Sequence, residues 1–131
     1  MRFFERALMT AAAAATFLTA SLSASAHHSF AGQFDRNQLV SFEGVVTLVE
    51  WQNPHVWFYV DAENDDGNVV HWEAETTNPN TLLRRGWKHD DLKVGDRVSV
   101  EGYRAICCEY VMNASSVVLP DGRKVFSSDA R

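Results

Sequence analysis

The chain has 131 residues, 46% hydrophobic and 22% charged, with a formal net charge of −5. That length suits one domain of ordinary size. The acidic balance disfavours nucleic acid, which is held mainly through Lys and Arg on phosphates, and anionic membrane surfaces; a cation or a basic partner fits better.

The first 26 residues read as a secretory signal peptide. Arg2 and Arg6, slightly diluted by Glu5, give a positive start, and Ala7 to Leu22 is an alanine-rich apolar stretch. Ala24-Ser25-Ala26 has the small-x-small pattern of a signal-peptidase site. The apolar stretch is short for a membrane span, which needs roughly 20 apolar residues. No later segment qualifies either, so the expectation is a soluble periplasmic product with no stable membrane insertion. Removing residues 1–26 takes away two arginines and one glutamate. It leaves 105 residues with ten basic and sixteen acidic side chains, a net charge of −6.

Residues 27–38 are polar and weakly patterned and read as an N-terminal arm. Val40, Phe42, Val46 and Leu48 mark a long first strand, with a bend or bulge expected at Gly44. Gln52-Asn53-Pro54 interrupts it. His55 to Asp61 alternates as a second strand, with Val56, Phe58 and Val60 on one face and His55, Trp57 and Tyr59 on the other. Asn64-Asp65-Asp66-Gly67-Asn68 is a hairpin turn. Val69 to Glu75 forms the third strand, with Val70, Trp72 and Ala74 opposite His71, Glu73 and Glu75. Asn78 caps a short helix, Pro79 suits its first position, Thr81 to Arg85 form its body and Gly86 ends it. Lys93-Val94-Gly95-Asp96 turns into a fourth strand, Arg97 to Tyr103. Tyr110 to Leu119 is the fifth, and Val125-Phe126 a short last one. Residues 39–126 thus make one β domain, and 127–131 a frayed tail.

Three strands, a short helix between strands three and four, and two or three further strands give an all-β chain. The order is that of a small OB-fold-like Greek-key barrel of five to six strands. A small β-sandwich is the alternative.

The chain also resembles a bacterial family of small exported proteins known only as a domain of unknown function (6152). The residues that carry the resemblance begin with His27-His28-Ser29-Phe30, Phe34-Asp35 and Gly44-Val45-Val46. They continue through Glu50-Trp51-x-Asn53-Pro54-His55 and Trp72-x-x-Glu75. Leu83-x-x-Gly86-Trp87, Leu92-Lys93-x-Gly95-Asp96-x-Val98 and Pro120-Asp121-Gly122-Arg123 complete the set. The resemblance implies export and one compact β domain, and it lends no catalytic role to any residue. Cys107-Cys108 is not part of its pattern, so a function built on that pair would be particular to this chain.

Four groups of residues bear chemistry. After cleavage, His27 carries a free α-amine beside its imidazole, and the two nitrogens can chelate one metal ion. Copper(II) favours nitrogen ligands in tetragonal geometry, and an α-amine with a pKa of about 7.7–8 yields its proton at neutral pH. His28, His55, His71 and His89 are candidates for further nitrogen. The alternative is an arm whose two histidines have no role. The second group is a strand face. Trp51, Asn53, His55, Trp57 and Tyr59 around the Asn-Pro turn can meet Glu73 and Glu75, and with Trp87 these form a candidate ligand-binding surface. The alternative is that the aromatics pack in the core. Third, Glu73 and Glu75 lie on one face and could pair for acid–base work, but on a half-exposed strand a solvated face is the commoner outcome.

The fourth group is Cys107-Cys108. Adjacent Cα atoms sit about 3.8 Å apart, less than the roughly 4.4–6.8 Å usual across a disulfide. A strained ring, an intermolecular bridge and two free thiols able to hold copper(I) all remain open. There is no Gly-rich phosphate loop, Gly-x-Ser-x-Gly, His-Glu-x-x-His or Cys-x-x-Cys-His in the chain. The leading expectation is a non-enzymatic periplasmic binding or accessory protein that binds copper(II) through His27. The second is a metal-free module for a periplasmic protein or small ligand.

Overall fold

Period-two alternation decides which side chains face inward. Val56, Phe58, Val60 and Ala62 are buried, while Trp57, Tyr59 and Asp61 between them stay half-exposed. Trp72 and Ala74 are likewise buried, while His71 and Glu73 beside them are exposed. The computed structural model describes residues 30–125. Within them lie α1 (Phe30–Gln33), β1 (Phe34–Glu50), β2 (Trp57–Glu63), β3 (Val69–Glu75), α2 (Pro79–Arg84), β4 (Arg97–Ala105), β5 (Val111–Val118) and β6 (Lys124–Val125). The expected signal peptide, His27, His28, Phe126 and the tail 127–131 lie outside the described residues.

The fold is all-β with a short helix between β3 and β4, in one mixed sheet ordered β3-β2-β1-β4-β5-β6. All neighbours in that order are antiparallel. β3 and β5 add a parallel pairing through Glu73–Val111, Ala74–Met112 and Glu75–Asn113. Because every strand belongs to one sheet, the two-sheet sandwich is not the architecture. The 17 residues of β1 make this possible. Its second half pairs with β2 from Gly44 to Glu50, and it pairs with β4 from Phe34 to Val45.

Two expectations about β1 need correction. Residues 34–38, the end of the expected N-terminal arm, belong to β1. Phe34 is 5% exposed and pairs with Ala105, and only Asp35 to Gln38 bulge out before pairing resumes at Leu39–Tyr103. The bend is not at Gly44 either; the register slips between Val46 and Leu48. Gly44 serves close approach instead, since a Cβ there would lie 2.4 Å from the Asp61 carbonyl oxygen and 2.5 Å from Val60 Cγ1.

The core is built from Val46, Phe58, Val60, Val98, Val100, Met112 and Val117 on the strands, closed by Leu82 of α2. α2 forms as its sequence predicts. The Asn78 side chain accepts the Thr81 N–H at 2.9 Å, Pro79 occupies the first turn, and Gly86 takes φ +93° just beyond the end. Full burial of the Leu82 side chain contributes roughly 1.5–3 kcal/mol.

Candidate functional site

The expected meeting of faces on β2 and β3 occurs. In the antiparallel register Trp57 lies opposite Glu75, Tyr59 opposite Glu73 and Asp61 opposite His71. All six side chains alternate with core residues, so they share the face turned away from the core.

His55 stands just before β2, at one end of this face. Its neighbour Val56 is clamped to the chain just beyond the end of β3. The Val56 N–H donates to Thr77 O at 3.0 Å, and Val56 O accepts from the Thr76 N–H at 2.9 Å and from Thr76 Oγ1 at 3.0 Å. That clamp sets His55 Nδ1 against the carboxylate of Glu75, which is 6% exposed. Burial lowers the His55 pKa below its ordinary value, which favours the neutral ring. A carboxylate only accepts, so the proton sits on Nδ1 and the lone pair on Nε2. The imidazole side chain is 44% exposed, so the ring is not closed off from a ligand. A carboxylate behind the other ring nitrogen is the arrangement that orients histidine for metal binding.

His71 has a similar partner at the other end. Its Nδ1 lies 2.5 Å from Asp61 Oδ1, and its side chain is 80% exposed. A strand rises about 3.3 Å per residue. Because the His55 ring rests on Glu75, and His71 precedes Glu75 by four positions on β3, the two imidazoles are separated by about 13 Å, and they cannot share one metal ion. Between them, Tyr59 donates its hydroxyl to Glu50 Oε2 at 3.0 Å. Burial, reinforced by Glu50 and Glu73, raises the Tyr59 pKa. Glu73 is exposed and Glu75 buried against His55, so the two carboxylates do not work as a pair.

The other expected residues divide. Asn53 is exposed on the turn, where the Asn53-Pro54 peptide is cis. Trp51 is half-buried and packs its ring on His89, centroids 4.2 Å apart. Trp87 does not belong to the surface. It is 2% exposed within the core, and its backbone N–H donates to Leu82 O at 3.1 Å, because the chain turns inward after Gly86. Cys107 and Cys108 form a disulfide with each other.

The sequence reading missed one wall of the site. Gly32, Gln33 and Phe34 face Trp57 and Glu75 across a groove of about 420 Å³, closed by Ile106, Cys107 and Val111. The Ile106 N–H donates to Gln33 O at 2.8 Å, and Phe30 packs on Phe34 and Tyr103 at 5.3 and 5.7 Å. The start of the described chain is therefore folded onto the sheet beside the carboxylate that holds His55. The available signal was Phe30 and Phe34, a pair spaced as on one helical turn. Asp61 was equally legible, being two positions beyond Tyr59 on the same face.

Among the described residues, no three His, Cys, Asp or Glu side chains gather to hold a metal ion. No helix there is long and apolar enough to cross a membrane. No curated protein and no solved structure matches the chain. A family model matches residues 14–108, a stretch that contains His27-His28, the Trp51 to His55 turn, Glu75 and the disulfide, and that stops short of Pro120-Asp121-Gly122-Arg123. The chain therefore belongs to the family of unknown function DUF6152.

Proposed function

We propose that the chain is an exported, non-enzymatic binding protein whose processed N-terminus binds copper(II) together with His55. Cleavage after Ala26 frees the His27 α-amine. Amine and imidazole of His27 supply two nitrogens, and Nε2 of His55 supplies the third. The β1-β2-β3-β5-β4 strands act as an OB-like Greek-key barrel that holds the site. The cycle of pairings that returns from β4 to β1, with α2 between β3 and β4, supports that reading.

One observation carries the copper reading. Residues 32–34 line the same groove as Glu75, and Glu75 holds His55. His27 is three residues before Phe30, and a chain spans at most about 3.6 Å per residue. It therefore starts within roughly 11 Å of Phe30 Cα. His71, about 13 Å farther along β3 by its rise, is not part of this set.

The test is a copper(II) titration of the chain beginning at His27, beside one carrying a single extra residue before it. The processed chain should bind much more tightly, and His55→Ala should weaken it. Equal weak binding by both forms would sink the reading.

The groove supports a second reading, a metal-free site for an apolar segment of a periplasmic protein. Phe34, Trp57, Ile106 and Val111 give it apolar walls. Capture from a periplasmic extract that is lost in Trp57→Ala, yet indifferent to the extra N-terminal residue, would favour it over copper.

A further inference from the structure

A second cavity, of about 450 Å³, opens at the opposite end of β2 and β3, beside the turn that joins them. Its volume lies in the range of small-molecule sites. It shares no residue with the groove beside His55.

Its wall is aromatic. Trp72 stacks on Phe42 with centroids 4.6 Å apart and meets Tyr110 edge-on at 5.4 Å. The Glu73 N–H donates to Tyr110 O at 2.9 Å, which fixes Tyr110 beside β3. Arg104 lies over Trp72, its Cζ 5.9 Å from the ring centroid. Arg104 Nε is buried and has no hydrogen-bond partner, and no ion pair is formed by its guanidinium among the described residues. A buried donor without an acceptor is costly, at about 1–3 kcal/mol and more when charged. The guanidinium charge likewise has no anionic partner among the described residues, and a carboxylate arriving in the cavity matches its fork.

The rim carries the opposite sign. Glu63, Asp65 and Asp66 border the cavity at the β2–β3 turn, and Glu109 at the β4–β5 connection. The turn is fixed, because Asn64 Oδ1 accepts the N–H groups of Asp66 at 3.1 Å and Asn68 at 2.9 Å. A simple anion reaching Arg104 would meet four carboxylates. A simple cation at the rim would leave Arg104 unanswered. A molecule with both charges satisfies both ends, and an apolar body suits the wall of Val40, Val70 and Tyr110.

We infer that this cavity binds a small zwitterion, an α-amino acid with an apolar side chain. Its carboxylate sits on Arg104, its ammonium group faces the acidic turn, and its side chain lies along the aromatic wall. The site stands independently of copper binding at the other end of the sheet.

The experiment uses the mature chain and three probes of one shape: L-leucine, L-leucinamide without the carboxylate, and 4-methylpentanoate without the amine. Binding is followed by calorimetry and by the amide NMR signals of Trp72 and Tyr110. L-leucine should bind at least about tenfold more tightly than either analogue, since a charge-assisted bond is worth about that factor. Arg104→Gln should remove the advantage over leucinamide and leave leucinamide itself unchanged. Asp65→Asn with Asp66→Asn should remove the advantage over 4-methylpentanoate. Both aspartates are exposed on the turn, so this second variant decides the matter if loss of Arg104 disturbs the Trp72 stack. Equal affinity for all three probes overturns the inference, as does no response to millimolar L-leucine, or L-leucine binding that both variants leave intact.

Discussion

The imidazole of His55 rests through Nδ1 on the carboxylate of Glu75, a side chain 8% exposed at the end of β3. The pair joins the turn after β1 to the inner end of the β2–β3 ladder, and it leaves Nε2 as the free nitrogen. Under the copper reading Glu75 is a positioning residue. Glu75→Gln keeps its size but removes the charge that fixes the ring. Copper(II) affinity of the processed chain should then fall by about tenfold or more, as is usual for partners behind a ligating histidine. Urea melts should show a loss of only about 1–2 kcal/mol. Copper affinity unaltered by this change would remove His55 from the ligand set.

Trp87 separates packing from recognition. The sequence groups it with surface aromatics, yet it lies in the core under α2 beside Leu82. Trp87→Ala should cost about 3–5 kcal/mol in denaturant melts, the range for removing a buried large aromatic. Trp57→Ala, at a half-exposed position on the groove, should cost far less. If the two substitutions destabilise equally, the division of aromatics between core and groove is wrong.

The strands were legible because alternation is a local signal. Val56 to Val60 and Val70 to Ala74 announce both their extended backbone and their inward faces. The helix was legible because Asn78, Pro79 and Gly86 act through their own backbone geometry. What escaped depends on contacts distant in sequence. The burial of Trp87 is fixed by where the chain goes after Gly86. The folding back of residues 30–34 follows from pairing with Ala105 and Ile106, some 70 positions away. Arg104 and its aromatic neighbours come from β1, β3, β4 and the β4–β5 connection, and no short motif unites them. The separation of His55 from His71 could be counted along the strands once the register was known, but not before.

Two glycines mark close backbone approach without unusual dihedrals. A Cβ at Gly102 would lie 2.1 Å from Asn113 O and 2.8 Å from Ala114 Cα, where β4 shifts register against β5. Backbone atoms cannot swing aside as a side-chain tip can. Gly102→Ala should therefore destabilise the fold by about 3 kcal/mol or more, beyond ordinary overpacking. Gly44→Ala should act similarly against Asp61 O and Val60. By contrast Gly122→Ala has nothing within 4 Å and pays only for its φ of +81°, so it should cost about 1 kcal/mol. Chemical denaturation of the three variants gives the order directly, and a Gly102→Ala protein as stable as Gly122→Ala contradicts the tight β4–β5 contact.

The Asp91–Arg123 pair ties the segment before β4 to the β5–β6 hairpin, and it makes stability depend on acid pH. Burial alone would raise the Asp91 pKa, but the Lys88 N–H at 2.8 Å and the Arg123 guanidinium at 3.0 Å outweigh it and hold it below the ordinary value. A carboxyl group lowered on folding binds fewer protons folded than unfolded, so stability rises with pH across that interval. Its contribution is complete above the unfolded value of about 3.9 and is lost as pH falls through the lower folded value. Asp91→Asn should cost about 1 kcal/mol at neutral pH and flatten the acid limb of a stability–pH curve. The limb will not vanish, because Arg123 also bonds Asp121 at 2.6 Å and lowers its pKa too. Arg123→Gln removes both contacts and should flatten the limb further. Parallel acid limbs for wild type and Arg123→Gln would show that the hairpin contact contributes nothing to acid stability.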